Sequence, residues 1–118
     1  MMITYIKVRE TTGENAVVMM DGQMIYEDLR QHLVLGRRVV LDFSGVDIVT
    51  TPFLNLAIGQ ALGEFSPSTI DALLGVEHLP RKGETLVAEV LHEAREFYGS
   101  RRKLPSYDES CGVEIYGR

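Results

Sequence analysis

The stretch Arg37-Arg38-Val39-Val40-Leu41-Asp42-Phe43-Ser44-Gly45-Val46-Asp47-Ile48-Val49-Thr50-Thr51-Pro52-Phe53-Leu54 constrains the fold more than any other part of the chain. Residues 39–43 are short, β-branched and bounded by a Gly turn, so they predict a buried central strand. A second apolar patch follows at Val46, Ile48 and Val49, and a Thr-Thr-Pro step then opens a long amphipathic segment. Thr51 reads as a helix N-cap, and Pro52 fits the first helical position, where its missing N–H costs nothing. Strand, polar loop and capped helix in that order present hydroxyls and free backbone N–H groups at the rim of an α/β sheet. Such rims accommodate regulatory contacts or anions.

Val39-Val40-Leu41-Asp42-Phe43-Ser44-Gly45-Val46, followed by Thr50-Thr51-Pro52-Phe53-Leu54-Asn55, resembles the STAS family (sulfate transporter and anti-sigma factor antagonist). The likeness points in particular to its STAS-like branch of unknown function, whose loop reads Thr-Ser-Ser-Phe. It is sharp from residue 39 to about 62 and extends over 15–98. It implies an α/β sandwich with a mixed sheet of four or five strands and helices packed mainly on one face. It also implies a non-catalytic protein that binds another protein, either a kinase-like ATPase or an anti-sigma-type regulator. The implied contact surface is the 46–53 loop and the exposed side of the next helix, with Asp47, Thr50, Thr51, Phe53 and Asn55 as partner-binding residues. In anti-sigma factor antagonists the loop reads Asp-Ser-Ser-Gly, and the second Ser accepts phosphate. Aligned through residues 41–46, that Ser falls on Pro52, the first Ser on Thr51 and the Asp on Thr50. Proline cannot accept phosphate, so a switch here would have to pass to Thr51 or Thr50.

A chain of 118 residues fits one domain with one core. The division expected is a domain over 1–99 and a tail or edge segment over 100–118. A net charge of −5, with no Lys/Arg-rich face, argues against nucleic acid or an anionic membrane as a general partner. The cluster Arg101-Arg102-Lys103 reads as a solvated helix end, where cations suit the dipole. A single cysteine, Cys111, excludes an internal disulfide and a Cys-based zinc site. It fits a reducing cytoplasm. Residues 1–5 lack the marks of a signal peptide, and no apolar run approaches the ~20 residues of a membrane span.

Residues 3–8 predict a first strand, 9–15 a turn and 16–20 a second strand, so the two could pair as a hairpin. A helix is expected from Asp21 or Gly22 to about Leu35, with Ile25, Leu29 and Leu33 on one face and Gly36 at its C-cap. The helix opening at Pro52 should run to about Phe65 on a Leu54, Ile58, Ala61, Leu62 and Phe65 stripe. Gly59 and Gly63 are a helix-spaced small pair, compensated by close approach to the sheet or a partner. A short helix over 68–74, a strand over 75–79 and a loop over 80–83 follow. The clearest helix is 84–98, with Leu86, Val87, Val90, Leu91, Ala94, Phe97 and Tyr98 on one face and Glu89, His92, Glu93 and Glu96 opposite. Gly99 should end it, and 112–116 could form an edge strand. Alternating strands and helices independently argue for an α/β sandwich.

Neither phosphate-cradling glycine motif nor a Gly-x-Ser-x-Gly elbow occurs, and no cofactor is implied. His92 has Glu89 and Glu96 at helical spacing, which a solvated charged face explains better than a metal site. Asp42, at a strand end, could serve a metal or accept a phosphoryl group, although such an Asp more often bonds its own turn. Phe53 is either an exposed anchor or plain core. Two further readings stay open. One is a small enzyme with a sheet-rim site at Asp42 and Thr51, favoured by a deep pocket with a clustered His and carboxylate. The other is a self-assembling subunit or homodimer, marked by an apolar patch around the helical glycines.

Overall fold

The computed structural model describes residues 3–103. Its elements are β1 (Ile3–Lys7), α1 (Arg9–Thr12), β2 (Asn15–Ala16), α2 (Met19–Leu33), β3 (Arg38–Asp42), β4 (Ile48–Val49), α3 (Thr51–Ala57), a 3-10 helix (Gly59–Gly63), α4 (Pro67–Leu73), β5 (Leu74–Glu77) and α5 (Gly83–Lys103). The β-branched run does become the central strand. β3 lies between β1 and β5, parallel to both, with Thr4 opposite Val39, Ile6 opposite Leu41, and Leu41 opposite Val76. Val39, Val40 and Leu41 are all buried, as a strand covered on both faces requires.

Among the described residues every pairing is parallel, in one sheet of three strands and a second of two, β2 with β4, so a single mixed sheet of four or five strands is not confirmed. The expected β1–β2 hairpin is absent because β1 pairs with β3, and the chain then coils into α1 where a plain turn was expected. Val8 N continues the ladder by donating to the Asp42 carbonyl at 3.0 Å. Of the predicted second strand only Ala16 joins a ladder, together with Asn15 from the expected turn, and α2 begins early, at Met19.

The core unites Ile6, Val39 and Leu41 from the sheet with Ile25, Leu29 and Leu33 from α2, Phe53, Leu54 and Ala57 from α3, and Val87 and Val90 from α5. α2 ends as expected, with Gly36 at φ +72° and Arg37 N donating to the His32 carbonyl at 3.0 Å. The helix expected over 52–65 is broken in two. Ile58 leaves helical geometry (φ −131°), and Gly59–Gly63 tightens to 3-10. The stripe survives the break, with Leu54, Ile58, Ala61 and Leu62 all buried. Within the chain the glycine pair meets α5 rather than the sheet. A Cβ on Gly59 would stand 3.2 Å from Val90 Cγ1, and one on Gly63 would lie 2.8 Å from the Tyr98 ring. The predicted short helix and following strand appear as α4 and β5, the former capped by Ser66, whose Oγ accepts from Thr69 N at 3.2 Å.

α5 runs through Gly99 to Lys103 instead of stopping there. Its Glu89, His92, Glu93 and Glu96 face solvent as expected, but so does Phe97. Cys111 and the possible edge strand at 112–116 lie outside the described residues.

Candidate functional site

The loop singled out in the sequence is held by the small sheet. Asp47 N and Ile48 N both donate to the Glu14 carbonyl, at 2.7 and 3.2 Å, and Thr50 N donates to the Ala16 carbonyl at 3.2 Å. These bonds fix the chain entering α3 against the chain entering α2. Thr50, not Thr51, is the N-cap: its backbone is extended (φ −121°, ψ 159°), and its carbonyl accepts from Leu54 N at 3.0 Å. Its side chain caps nothing. Thr50 Oγ1 is buried without a hydrogen-bond partner, and Thr51 is the half-buried first residue of the helix. Pro52 occupies the start of the helix, as its fixed φ favours. Asp47, Pro52 and Asn55 are exposed. Phe53 is fully buried in the core, so it packs the helix onto the sheet and offers no anchor.

Sequence reasoning missed what surrounds this loop. Val17, Val18, Met19, Met20 and Met24 are all exposed, Met20 at 73%, and so is Ile48 at 51%. The pairing of Asn15 with Ile48 and Ala16 with Val49 brings the start of this run alongside β4. Close contact of Gly22 with the backbone of Phe53 brings the first turn of α2 against the first turn of α3. Val17 and Val18 therefore continue β2 beside Ile48 near the entrance to α3, whereas Met20 and Met24 stand on the side of α2 opposite Gly22. The signal is the five consecutive apolar residues Ala16–Met20 before Asp21-Gly22, which read as a strand.

A second cluster forms at the C-terminal ends of β1 and β3. Asp42 Oδ1 accepts from Ser44 N at 2.9 Å and Ser44 Oγ at 2.8 Å, and lies 3.0 Å from His78 Nδ1. The Ser44 backbone N–H, then its hydroxyl, then His78 hold the Asp42 carboxyl below its ordinary pKa. An ionised carboxylate only accepts, so His78 carries its proton on Nδ1. The turn-bonding role expected for Asp42 is thus present, joined by a histidine that the sequence placed only at a strand end. His78 reaches it from a left-handed backbone (φ +58°). A cavity of about 440 Å³ lies beside Asp42 and Ser44, lined also by Lys7, Arg9 and Glu10. Gly45 (φ +80°) lets the Arg9 stem pass over it, since a Cβ there would lie 2.5 Å from Arg9 Cδ. Thr51 does not line this cavity. Among the described residues, no three His, Cys, Asp or Glu side chains are grouped to hold a metal, and no helix is long and apolar enough to cross a membrane.

Residues 21–83, from the first turn of α2 to the start of α5, match the family model of the STAS-like domain of unknown function, and the chain belongs to that family. No curated protein and no solved structure matches it.

Proposed function

From this membership in a STAS-like family, we propose that the protein is a non-catalytic regulatory module of the cytoplasm that works by binding another protein. The reading rests on one observation: exposed Ile48 lies in the loop where the family resemblance puts its contact surface, and exposed Val17, Val18 and Met19 continue the strand paired with it. Large exposed apolar side chains beside a loop suit an interaction site. Asp47, Thr51, Pro52 and Asn55 form its polar margin. The partner suggested by the resemblance is a kinase-like ATPase or an anti-sigma-type regulator. Pro52 removes the usual phosphate acceptor, and the buried Thr50 hydroxyl is a poor substitute. Binding then depends on shape and apolar contact, with Thr51 as the one remaining candidate for a switch.

Affinity capture from native extract with wild type and Ile48→Asp in parallel tests this. One protein should be retained by the wild type and lost by the variant. Equal retention by both would remove the surface from consideration.

The Asp42–His78 pair and the adjoining cavity favour a second reading, a sheet-rim enzyme. Among the described residues no nucleophile is bonded to the imidazole, and the Ser44 hydroxyl donates to Asp42 instead. Turnover of a broad substrate panel that vanishes in His78→Gln would establish it.

A further inference from the structure

Lys7, Asp42 and Glu77 are the last residues of β1, β3 and β5, and they stand in register across the parallel sheet. Registered side chains of neighbouring strands share a face, so Lys7 and Asp42 are adjacent charges of opposite sign. They nonetheless form no ion pair. Asp42 Oδ1 takes the Ser44 N–H, the Ser44 hydroxyl and His78 Nδ1, at 2.9, 2.8 and 3.0 Å. Among the described residues, Asp42 Oδ2 accepts no hydrogen bond and Lys7 has no ion-pair partner. An ammonium and a carboxylate oxygen are thus left side by side with their bonding capacity unused.

Both residues line the cavity of about 440 Å³ at the carboxyl ends of these strands, together with Arg9, Glu10 and Ser44. Ligands of open α/β sheets settle at that end of the strands. The volume lies towards the small end of ligand sites, which span roughly 300–1,000 Å³. Arg9 crosses to the turn at Gly45, where a Cβ would lie 2.5 Å from its Cδ. Its guanidinium has only a long ion pair, with Glu14 at 3.9 Å. The lining therefore holds two cations, Lys7 and Arg9, and two carboxylates, Glu10 and Asp42. Glu77, next in the row, is exposed and does not line it. An anion alone would be repelled by both carboxylates, and a cation alone by both cations. A molecule that carries both charges finds a partner for each.

We propose that this cavity binds a small zwitterion of the α-amino acid class. The ligand's carboxylate lies against Lys7 Nζ and the Arg9 guanidinium, and its ammonium donates to Asp42 Oδ2 and the Glu10 carboxylate. Ser44 and His78 hold the Asp42 carboxyl by its other oxygen. Binding makes and breaks no covalent bond. The inference goes beyond the protein-binding reading and does not depend on it.

The full chain, labelled with ¹⁵N, can be titrated with each common α-amino acid while the Ser44 amide signal and the thermal midpoint are followed. At least one amino acid should shift that signal saturably and raise the midpoint. Its N-acetyl form, which lacks the ammonium, and its decarboxylated amine should each bind about tenfold more weakly or worse, the scale of one lost charge-assisted contact. Lys7→Met and Glu10→Gln should each weaken binding of the amino acid by about tenfold. Both residues are exposed, so the midpoints of the two variants without ligand should match the wild type. Asp71→Asn, on α4, should change nothing. The two analogues test the wild-type chain itself, with no substitution. No response to any amino acid at millimolar concentration would overturn the inference. So would equal binding of the N-acetyl form or of the amine, tighter binding of inorganic phosphate than of any amino acid, or binding unaltered in both Lys7→Met and Glu10→Gln.

Discussion

Gly22 in α2 stands so close to Phe53 in α3 that a Cβ built on it would lie 2.6 Å from the Phe53 carbonyl oxygen and 3.2 Å from Leu56 Cβ. The contact sets the spacing of the two helices at their first turns. Gly22→Ala therefore has to push α2 away from α3, although alanine is the better helix former. Overpacking of this kind typically costs about 1–3 kcal/mol, and urea unfolding should register a loss in that range. An unchanged or raised midpoint would mean that the helices are not packed this closely.

Leu41 on the central strand and Ile58 at the helix break are both buried, at 0% and 1% exposure. Truncating either to Ala should destabilise by about 2–5 kcal/mol. A loss well under about 1 kcal/mol at both would place the core elsewhere.

Thr50 presents the opposite case. Its hydroxyl is buried with no partner, while its backbone is extended, a conformation that valine favours. Removing an unsatisfied buried polar group is neutral or favourable, so Thr50→Val should leave stability unchanged or raise it by about 1 kcal/mol. A clear loss would reveal a hydrogen bond to that hydroxyl. Thr51→Val should be close to neutral, because Thr51 is not the cap. Intact mass of native protein should show no stoichiometric phosphate on Thr50.

Two carboxylates govern the acid limb. Asp42 is held below its ordinary pKa by the Ser44 N–H and hydroxyl and by His78, and Glu64 by the Tyr26 hydroxyl and then Arg30. The unfolded chain binds protons to these groups more readily, so stability rises with pH through their titration. Their contribution is present above the unfolded values, about 3.9 for Asp and about 4.3 for Glu, and is lost as pH falls through the lower folded values. Asp42→Asn/Glu64→Gln should flatten the fall in unfolding midpoint across that range. An acid limb as steep as in the wild type would assign it to other groups.

Much of this fold was legible because the deciding signals are local. The 39–43 run is β-branched and bounded by Gly45, and the α2 and α3 stripes repeat at helical spacing, so the central strand and both helix faces follow directly. What could not be read depends on the chain meeting itself. The strand expected over Ala16–Met20 ends at Ala16, where β2 pairs with β4, and its remainder forms a loop and the start of α2, leaving Val17–Met20 exposed. The approach of Val90 and Tyr98 to Gly59 and Gly63 accompanies the break at Ile58. His78 and Asp42 are 36 positions apart and meet only because β5 lies beside β3. Within the predicted contact set, Asp47 and Asn55 are exposed, Thr50 and Thr51 are half-buried, and Phe53 faces inward because it anchors α3 in the core.

The most direct test of partner docking on this surface is a methyl-methionine NMR titration of the full chain with the protein captured from native extract. The chain holds five methionines, and Met19, the first residue of α2, is exposed directly after Val17 and Val18. A stoichiometric shift of the Met19 methyl signal, absent when the partner is added to Ile48→Asp, is the expected result. A tight complex that leaves this signal in place would contradict docking on this surface.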